Sequence, residues 1–471
     1  MISSSVSKTG PSNTNKNTEI AMSDVESDKS TDREAPVIAG PVTGAERIAS
    51  LDILRGVAIL GILVMNIYAF AMPFMAYSNP LVMGGTDPLN LGTWFFTHFF
   101  FDQKFLSIFA MLFGAGVILL TGRAQASGAK YGRIYYRRQL WLLLLGAVHG
   151  YLIWFGDILF IYAAIGMLAY LFRNRTPRTL VIIACLLLPV ALGFSYGNAI
   201  YVDKTKARVA EITELRDAGE TLTAEQEKVL EDWEATRVFM SPTEEDLQKD
   251  VLIHKGSYID ILEHRVPLVA TMQVFMVFFF GIWRVTALML IGMALMKLGI
   301  LSAERSADFY RKLMVGGYAL GLPLTVFSGI DLHAHDFNPA YVFRVGGITN
   351  YFGSIIVALG HIGTVMLIIK TGFVPRLMQR FAAVGRMALT NYLMHSVILT
   401  SIFYGYGLGL YSEIPRFWQM GFVVVVIALQ LYLSPWWLSR YRFGPVEWLW
   451  RSLTYWRRQP MRQGQVMATT R

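Results

Sequence analysis

Ionisable side chains inside apolar runs are rare and point to function by default, and this sequence holds two constellations of them. The first run opens Leu51-Asp52-Ile53-Leu54-Arg55-Gly56 and carries Asn66 further along. At 100° per residue these three polar residues share one narrow helical face, with Asn66 about 20 Å beyond Asp52. Asp52 and Arg55 are three apart, so they can pair and lower the cost of burying either. In the second constellation Arg138 and His149 lie about three turns apart and point the same way. Trp154-Phe155-Gly156-Asp157 then forms a tight turn. From it Asp157 can orient the His149 imidazole, as a carboxylate does in acid–base catalysis. Arg123, Arg137 and Arg138 add guanidinium forks of the kind that hold phosphate oxygens.

Other polar residues have plainer readings. Asp102 and Lys104 are expected as a pair at a membrane boundary, with His98 interfacial. The glycines of Leu112-Phe113-Gly114-Ala115-Gly116 allow close helix contact. Arg284 reads as an interfacial anchor, and Asn391 with His395 as interhelical hydrogen-bonding groups. Asp331, His333, His335 and Asp336 are residue types that bind zinc, but a loose loop does not fix their geometry, so no metal site is assigned. Glu447 and Arg451 can pair on a Trp-rich interfacial helix. No Walker loop, nucleophile elbow, HExxH or dinucleotide fingerprint is present.

The elements that must position these groups are membrane spans. Of 471 residues, 54% are hydrophobic and only 16% charged. A soluble globular chain is about 25% charged, so an ordinary soluble enzyme is excluded. The single cysteine, Cys185, excludes a disulfide scaffold. Runs long enough to cross a bilayer occur at 51–72, 95–121, 139–155, 157–173, 178–200, 268–300, 309–330, 349–370, 387–409 and 417–438. The run 268–300 is too long for one simple crossing. It reads as a tilted helix, or as an interfacial piece followed by a span from 284. Outside residues 1–50 and 201–267 the chain holds 28 basic and 10 acidic residues. The basic residues flank apolar runs, which points to a membrane and not to nucleic acid. Counting Lys and Arg by side of the membrane, with the long 201–267 loop left out, gives 24 against 2, so both termini are expected in the cytoplasm.

The expected architecture is an all-α polytopic bundle of about ten spans in the plasma (inner) membrane, its partner the lipid bilayer. Residues 1–46 read as a disordered cytoplasmic tail, without the pattern of a signal peptide. Residues 47–200 form a five-span bundle, 201–267 an external helical loop, 268–440 a second five-span bundle, and 441–471 an interfacial cytoplasmic tail. Within the loop, Thr223 with Gln226 has the spacing of a capping box.

Several motifs together resemble the YeiB-like membrane proteins, the family of domain of unknown function 418. They are Leu51-Asp52-Ile53-Leu54-Arg55-Gly56 through Asn66, Lys104-Phe105 through Gly116, and His149 through Gly156-Asp157-Ile158-Leu159. Gly385-Arg386-Met387-Ala388-Leu389-Thr390-Asn391-Tyr392 and Gly444-Pro445-Val446-Glu447-Trp448 extend the likeness to roughly residues 47–458. The Asp-x-x-Arg start is also similar to that of transmembrane acyltransferases, the acyltransferase-3 enzymes and the lysosomal heparan glucosaminide acetyltransferase among them. The spacing of Arg138 and His149 matches the third span of the acyltransferase-3 group. That group carries a histidine eleven residues after its first-span arginine, where this sequence has Asn66. The resemblance therefore implies His149 or His98 as the general base.

On this reading acyl-CoA is a co-substrate and no cofactor is resident. Its phosphates dock on Arg123, Arg137 or Arg138, and Asp52 and Arg55 hold the channel mouth. His149 with Asp157 deprotonates an envelope glycan or small-molecule acceptor, and Asn66 donates to the developing oxyanion. The alternatives are a transporter or exporter that uses the same polar faces as a solute path, and a non-catalytic membrane scaffold.

Overall fold

The computed structural model describes residues 48–126 and 132–463. The expected tail 1–46 therefore lies outside the described residues, as does the end of the chain from 464. Backbone groups in lipid find no water, so apolar runs must satisfy them internally and fold as helices. α1 (Ala49–Ala71) is followed by the short α2 (Met75–Ser78), then α3 (Pro88–Phe100) and α4 (Lys104–Ala126). α5 (Gly132–Leu152), α6 (Leu159–Ala169) and the long α7 (Pro177–Asp217) come next. α8 (Ala224–Met240) and α9 (Glu244–His254) lead to α10 (Tyr258–Phe275), a π-helical segment (Met276–Val285) and α11 (Thr286–Lys297). α12 (Ala307–Ala334), α13 (Pro339–Tyr341) and a π turn at Val342–Gly346 precede α14 (Gly347–Thr371). α15 (Pro375–Arg386), α16 (Ala388–Phe403), α17 (Arg416–Leu438) and α18 (Pro445–Tyr455) complete the described helices. The fold is all-α, as its composition implied.

Each of the ten apolar runs is helical. Seven helices among the described residues have the length and hydropathy of a membrane crossing, so the chain is a multi-pass integral membrane protein. The helices over Leu159–Phe172 and Ala388–Phe403 are apolar but shorter, and α5 carries Arg133, Arg137 and Arg138 in its first turns. Two runs depart from the simple spans expected. The run 95–121 breaks at Phe101–Gln103, where Gln103 takes a left-handed backbone with φ 60°. The run 268–300 is neither a separate interfacial piece nor a span starting at 284. It belongs to one helical stretch, Tyr258–Lys297, whose middle is the π segment.

Caps set several boundaries. Asp87 accepts from the amides of Leu89 and Asn90 at the start of α3, with Pro88 in its first turn. The capping box expected at Thr223 and Gln226 is present, and Thr243 with Asp246 and Ser257 with Asp260 repeat it. α7 runs 41 residues, about 60 Å at the helical rise. That is twice a bilayer's hydrocarbon thickness of about 30 Å, so its second half projects beyond the core and meets α8, where Arg208 pairs with Glu225.

Glycines bring the helices of the first and second halves together. A Cβ on Gly56 would stand 2.0 Å from the Phe381 carbonyl oxygen, and one on Gly385 1.8 Å from that of Asp52. These two glycines let α1 and α15 cross backbone to backbone. Gly114 against Met289 and Gly292 against Met111 do the same for α4 and α11. The Gly56–Gly385 crossing matters for the site, because it seats Asp52 beside Arg386.

Candidate functional site

A cavity of about 230 Å³ opens at the end of the bundle where α1 begins. Asp52 and Arg55 of α1 line it together with Arg138 of α5, Arg386 of α15 and Arg451 of α18. Arg55 bonds Asp52 at 2.8 Å, the pair that the i,i+3 spacing implied. Arg138 lies over the Trp450 ring at 3.7 Å, and the Trp450 indole donates to the Arg138 carbonyl at 2.9 Å. α18 is thus pinned across the mouth by the residue it helps to orient. The Nε of Arg386 is buried without a hydrogen-bond partner among the described residues. Four arginines face two carboxylates, Asp52 and Glu447.

Glu447 is turned to the start of α16. Its oxygens accept from the amides of Leu389 and Thr390 and from the Thr390 hydroxyl, capping the start of α16. The deeper walls are apolar, from Phe109, Leu112, Phe113, Leu142 and Leu159, with Tyr135, Gln139 and Tyr392 interspersed. Gly116 lines this cavity and a Cβ there would meet nothing within 4 Å. Of the two glycines expected to pack helices, only Gly114 does so.

Behind Tyr392 lies the second predicted constellation. His149 is 1% exposed. Its Nδ1 is 2.7 Å from an Asp157 oxygen, and its Nε2 is 2.8 Å from the Ser396 hydroxyl. Tyr392, whose ring centroid is 5.2 Å from that of His149, donates to Gly156 and accepts from the Ile158 amide. The turn 154–158 is therefore clamped by two side chains. His149 lines neither this cavity nor the second one described below, and both of its nitrogens are occupied. Its expected reach into a ligand chamber is taken by Tyr392.

A second cavity, about 240 Å³, lies toward the other end of α1, where Met65 contributes. Residues of the α3–α4 break line it: His98, Asp102 and Gln103. Lys104 is fully buried. Its Nζ donates to the His98 carbonyl at 2.6 Å and to Asn350 Oδ1 at 2.9 Å. Asn350 in turn donates to Asp102 at 2.7 Å. The expected direct pair of Asp102 and Lys104 is thus a relay through Asn350 of α14. His98 is buried too, 5% exposed, with Nδ1 3.4 Å from Asp102.

The remaining predicted residues scatter. Arg137 turns from the basic cavity toward Trp456, at 5.8 Å. The side chain of Arg123 lies outside the described residues. Asn66 is partly buried and lines neither cavity. Arg284 is no interfacial anchor: it is buried in the π segment and donates to the Tyr351 carbonyl and the Ser354 hydroxyl. Asn391 bonds Ser434, and His395 bonds Gln430, the interhelical pairing expected of them. Among the described residues no group of three or more His, Cys, Asp or Glu could hold a metal ion. Asp331 and His333, expected in a loop, lie in the last turn of α12, and Asp331 accepts from the Tyr341 hydroxyl. The sequence reading missed Ser396 and Arg386 as site residues. A lone serine on an apolar helix carries no signal, whereas Arg386 follows the glycine that brings α15 onto α1.

Residues 295–457 match the family described as Protein of unknown function (DUF418). YeiB of Escherichia coli strain K12, an uncharacterised protein, is 32% identical over 418 residues, 87% of this chain and 96% of its own. The chain belongs to the YeiB-like DUF418 family. YxaH of Bacillus subtilis strain 168, also uncharacterised, is 31% identical over 438 residues, 89% of this chain and 97% of that one. No solved structure matches. The DUF418 match takes in Arg386, Glu447 and Arg451, and the longer alignments extend the likeness over most of the chain.

Proposed function

We propose that this DUF418-family membrane protein is an acyltransferase that moves an acyl group from cytoplasmic acyl-CoA to an acceptor in the envelope. One observation carries the reading: Arg55, Arg138, Arg386 and Arg451 converge from four helices on a single cavity. The Arg386 Nε has no hydrogen-bond partner among the described residues, and guanidinium forks match phosphate oxygens. The apolar wall of Phe109, Leu112, Phe113 and Leu142 suits the less polar arm that carries a thioester. Asp52 holds Arg55 in place, and Glu447 holds the start of α16 beneath the ligand. In this assignment His149 and Asp157 are positioning residues, which fix the 154–158 turn and Tyr392. Asn66, which lines neither cavity, has no part in this assignment. The arginine-rich end is assigned to the cytoplasm of a plasma-membrane protein by its excess of Lys and Arg.

The test is a thermal-shift titration of purified protein with acetyl-CoA and CoA. A ligand that binds only the folded state raises apparent stability with its concentration. A rising melting temperature in the wild type, lost in Arg138→Ala and Arg386→Ala, is the expected result. A flat wild-type response over a wide concentration range overturns the reading. A transporter is the second reading, favoured by two cavities set toward opposite ends of α1. It requires solute flux in vesicles with no dependence on acyl-CoA.

A further inference from the structure

We infer that the second cavity is a binding site for a small, hydroxyl-bearing ligand of about monosaccharide size, with His98 as its proton acceptor. Four observations carry this. First, His98 lines the cavity, is 5% exposed, and its Nε2 is buried with no hydrogen-bond partner among the described residues. Buried polar nitrogens are rarely left so, and an orphan beside a cavity calls for a ligand. His149 and His361, by contrast, have both ring nitrogens engaged.

Second, the geometry assigns the tautomer. Asp102 lies 3.4 Å from Nδ1, so the ring proton belongs on that side and Nε2 presents its lone pair. Lys104 and Asn350 lock both partners: Lys104 holds the His98 carbonyl, and Asn350 holds the Asp102 carboxylate. Asp102 and Lys104 offset one another within the relay, and the buried Arg284 is a further charge that acts on both.

Third, the site stands on a helix break. The turn between α3 and α4 interrupts an apolar membrane run, and Gln103 holds a left-handed conformation there while lining the cavity. Irregular backbone at membrane depth is tolerated where it borders a cavity, and discontinuous helices mark binding sites. Strained residues of this kind gather at ligand sites. Fourth, about 240 Å³ walled by Trp94, Phe337 and Phe343 with Asn350 and Ser328 between them suits a ring with hydroxyl groups.

As an acceptor pocket this inference rests on the acyl-CoA reading; as a ligand site it does not. In the transfer, His98 Nε2 takes the hydroxyl proton as the oxygen bonds the thioester carbonyl carbon. The carbon–sulfur bond then breaks, and the departing thiolate takes that proton from His98, yielding an ester and free CoA thiol. Phe109 of the basic cavity lies on α4, and Gln103 of the second cavity immediately precedes that helix, six residues earlier in sequence. Phe105, whose ring sits over Gly61, belongs to the turns between them.

Two measurements test it on the full-length protein in nanodiscs. Diethyl pyrocarbonate acylates an unprotonated imidazole nitrogen, and mass spectrometry locates the adduct. His98 is expected to label while His149 does not, with the label lost in the presence of glucose, N-acetylglucosamine, inositol or glycerol. If His98 stays unlabelled, or none of the four probes protects it, the ligand site is overturned. The second measurement follows acetyl transfer from labelled acetyl-CoA to the protecting probe. His98→Gln is expected to lower the rate by about 100-fold with the acetyl-CoA thermal shift retained, and Asp102→Asn to lower it in the same direction. Unchanged transfer in both variants overturns the role of His98 as base. Absence of any acetyl-CoA shift in the wild type instead overturns the acyl-CoA reading, and probe protection then decides the ligand site alone.

Discussion

Arg138 sits 3.7 Å over the Trp450 ring, and its carbonyl accepts from the same indole. A planar guanidinium can stack and still present its N–H edge to an anion, which an ammonium cannot do in the same way. Arg138→Lys is therefore expected to weaken acetyl-CoA binding while keeping some charge attraction, and Arg138→Ala to weaken it further. Loss of one charge-assisted contact of about 1.5–3 kcal/mol corresponds to about 10–100-fold in affinity, readable by thermal-shift titration. His149 is a different kind of residue. Removing it in His149→Ala leaves Asp157 and Ser396 without their shared partner in a dry interior. The expected outcome is a stability loss of about 1–3 kcal/mol, seen as a lower melting temperature without ligand. The affinity for acetyl-CoA should change little in comparison. If His149→Ala keeps full stability and loses transfer alone, its positioning role is wrong.

At the scale of elements, glycine decides which helices touch. Gly114→Ala would place a Cβ 1.9 Å from the Met289 carbonyl oxygen, while Gly116→Ala meets open space in the basic cavity. The first substitution is expected to destabilise by about 1–3 kcal/mol or more through overpacking. The second should leave the melting temperature unchanged and reduce acetyl-CoA affinity by filling the chamber. Equal effects at both positions in a melting assay would contradict this division.

α9 gives a second prediction, outside the spans. Burial raises the Asp250 pKa, but the His254 hydrogen bond and charge, the Tyr411 hydroxyl and the nearby His264 outweigh it, holding the carboxyl below its usual value of 3.8. Tyr411 donates to Asp250 at 2.9 Å and so ties α9 to the segment before α17. A carboxyl whose pKa is depressed on folding lends stability above its unfolded pKa and loses it as the pH falls through the folded value. Asp250→Asn should therefore raise amide exchange across 244–254 at neutral pH, and the gap from wild type should close below about pH 3.8.

For the whole molecule, the asymmetry of charge predicts orientation. In a Cys185→Ser background, a membrane-impermeant maleimide should label Glu220→Cys in intact cells and Arg311→Cys only after permeabilisation. Both positions are exposed, so the reverse pattern would place the basic cavity outside and sever it from cytoplasmic CoA. The helical insertion also acts at this scale. Arg344 pairs with Asp203, and Lys255 with Glu413, so the projecting half of α7 and the α9–α10 turn grip the loops at the end away from the basic cavity.

Much of this was written in local sequence. Apolar run length, cap residues and arginine placement determined an all-α membrane protein, the Asp52–Arg55 pair and the Thr223 capping box, because each depends on neighbours a few residues apart. Asp157 and His149 are only eight apart across one turn, so their bond was legible as well. Tertiary structure decided what distant residues share. Arg386 and Arg451 join Arg55 and Arg138 only because Gly385 meets Asp52 and α18 folds back onto α5. Ser396 occupies His149 from 247 residues away, and Asn350 joins Lys104 from 246. No periodicity encodes such pairings: they come from helix packing, in which the absence of one side chain sets where two backbones cross.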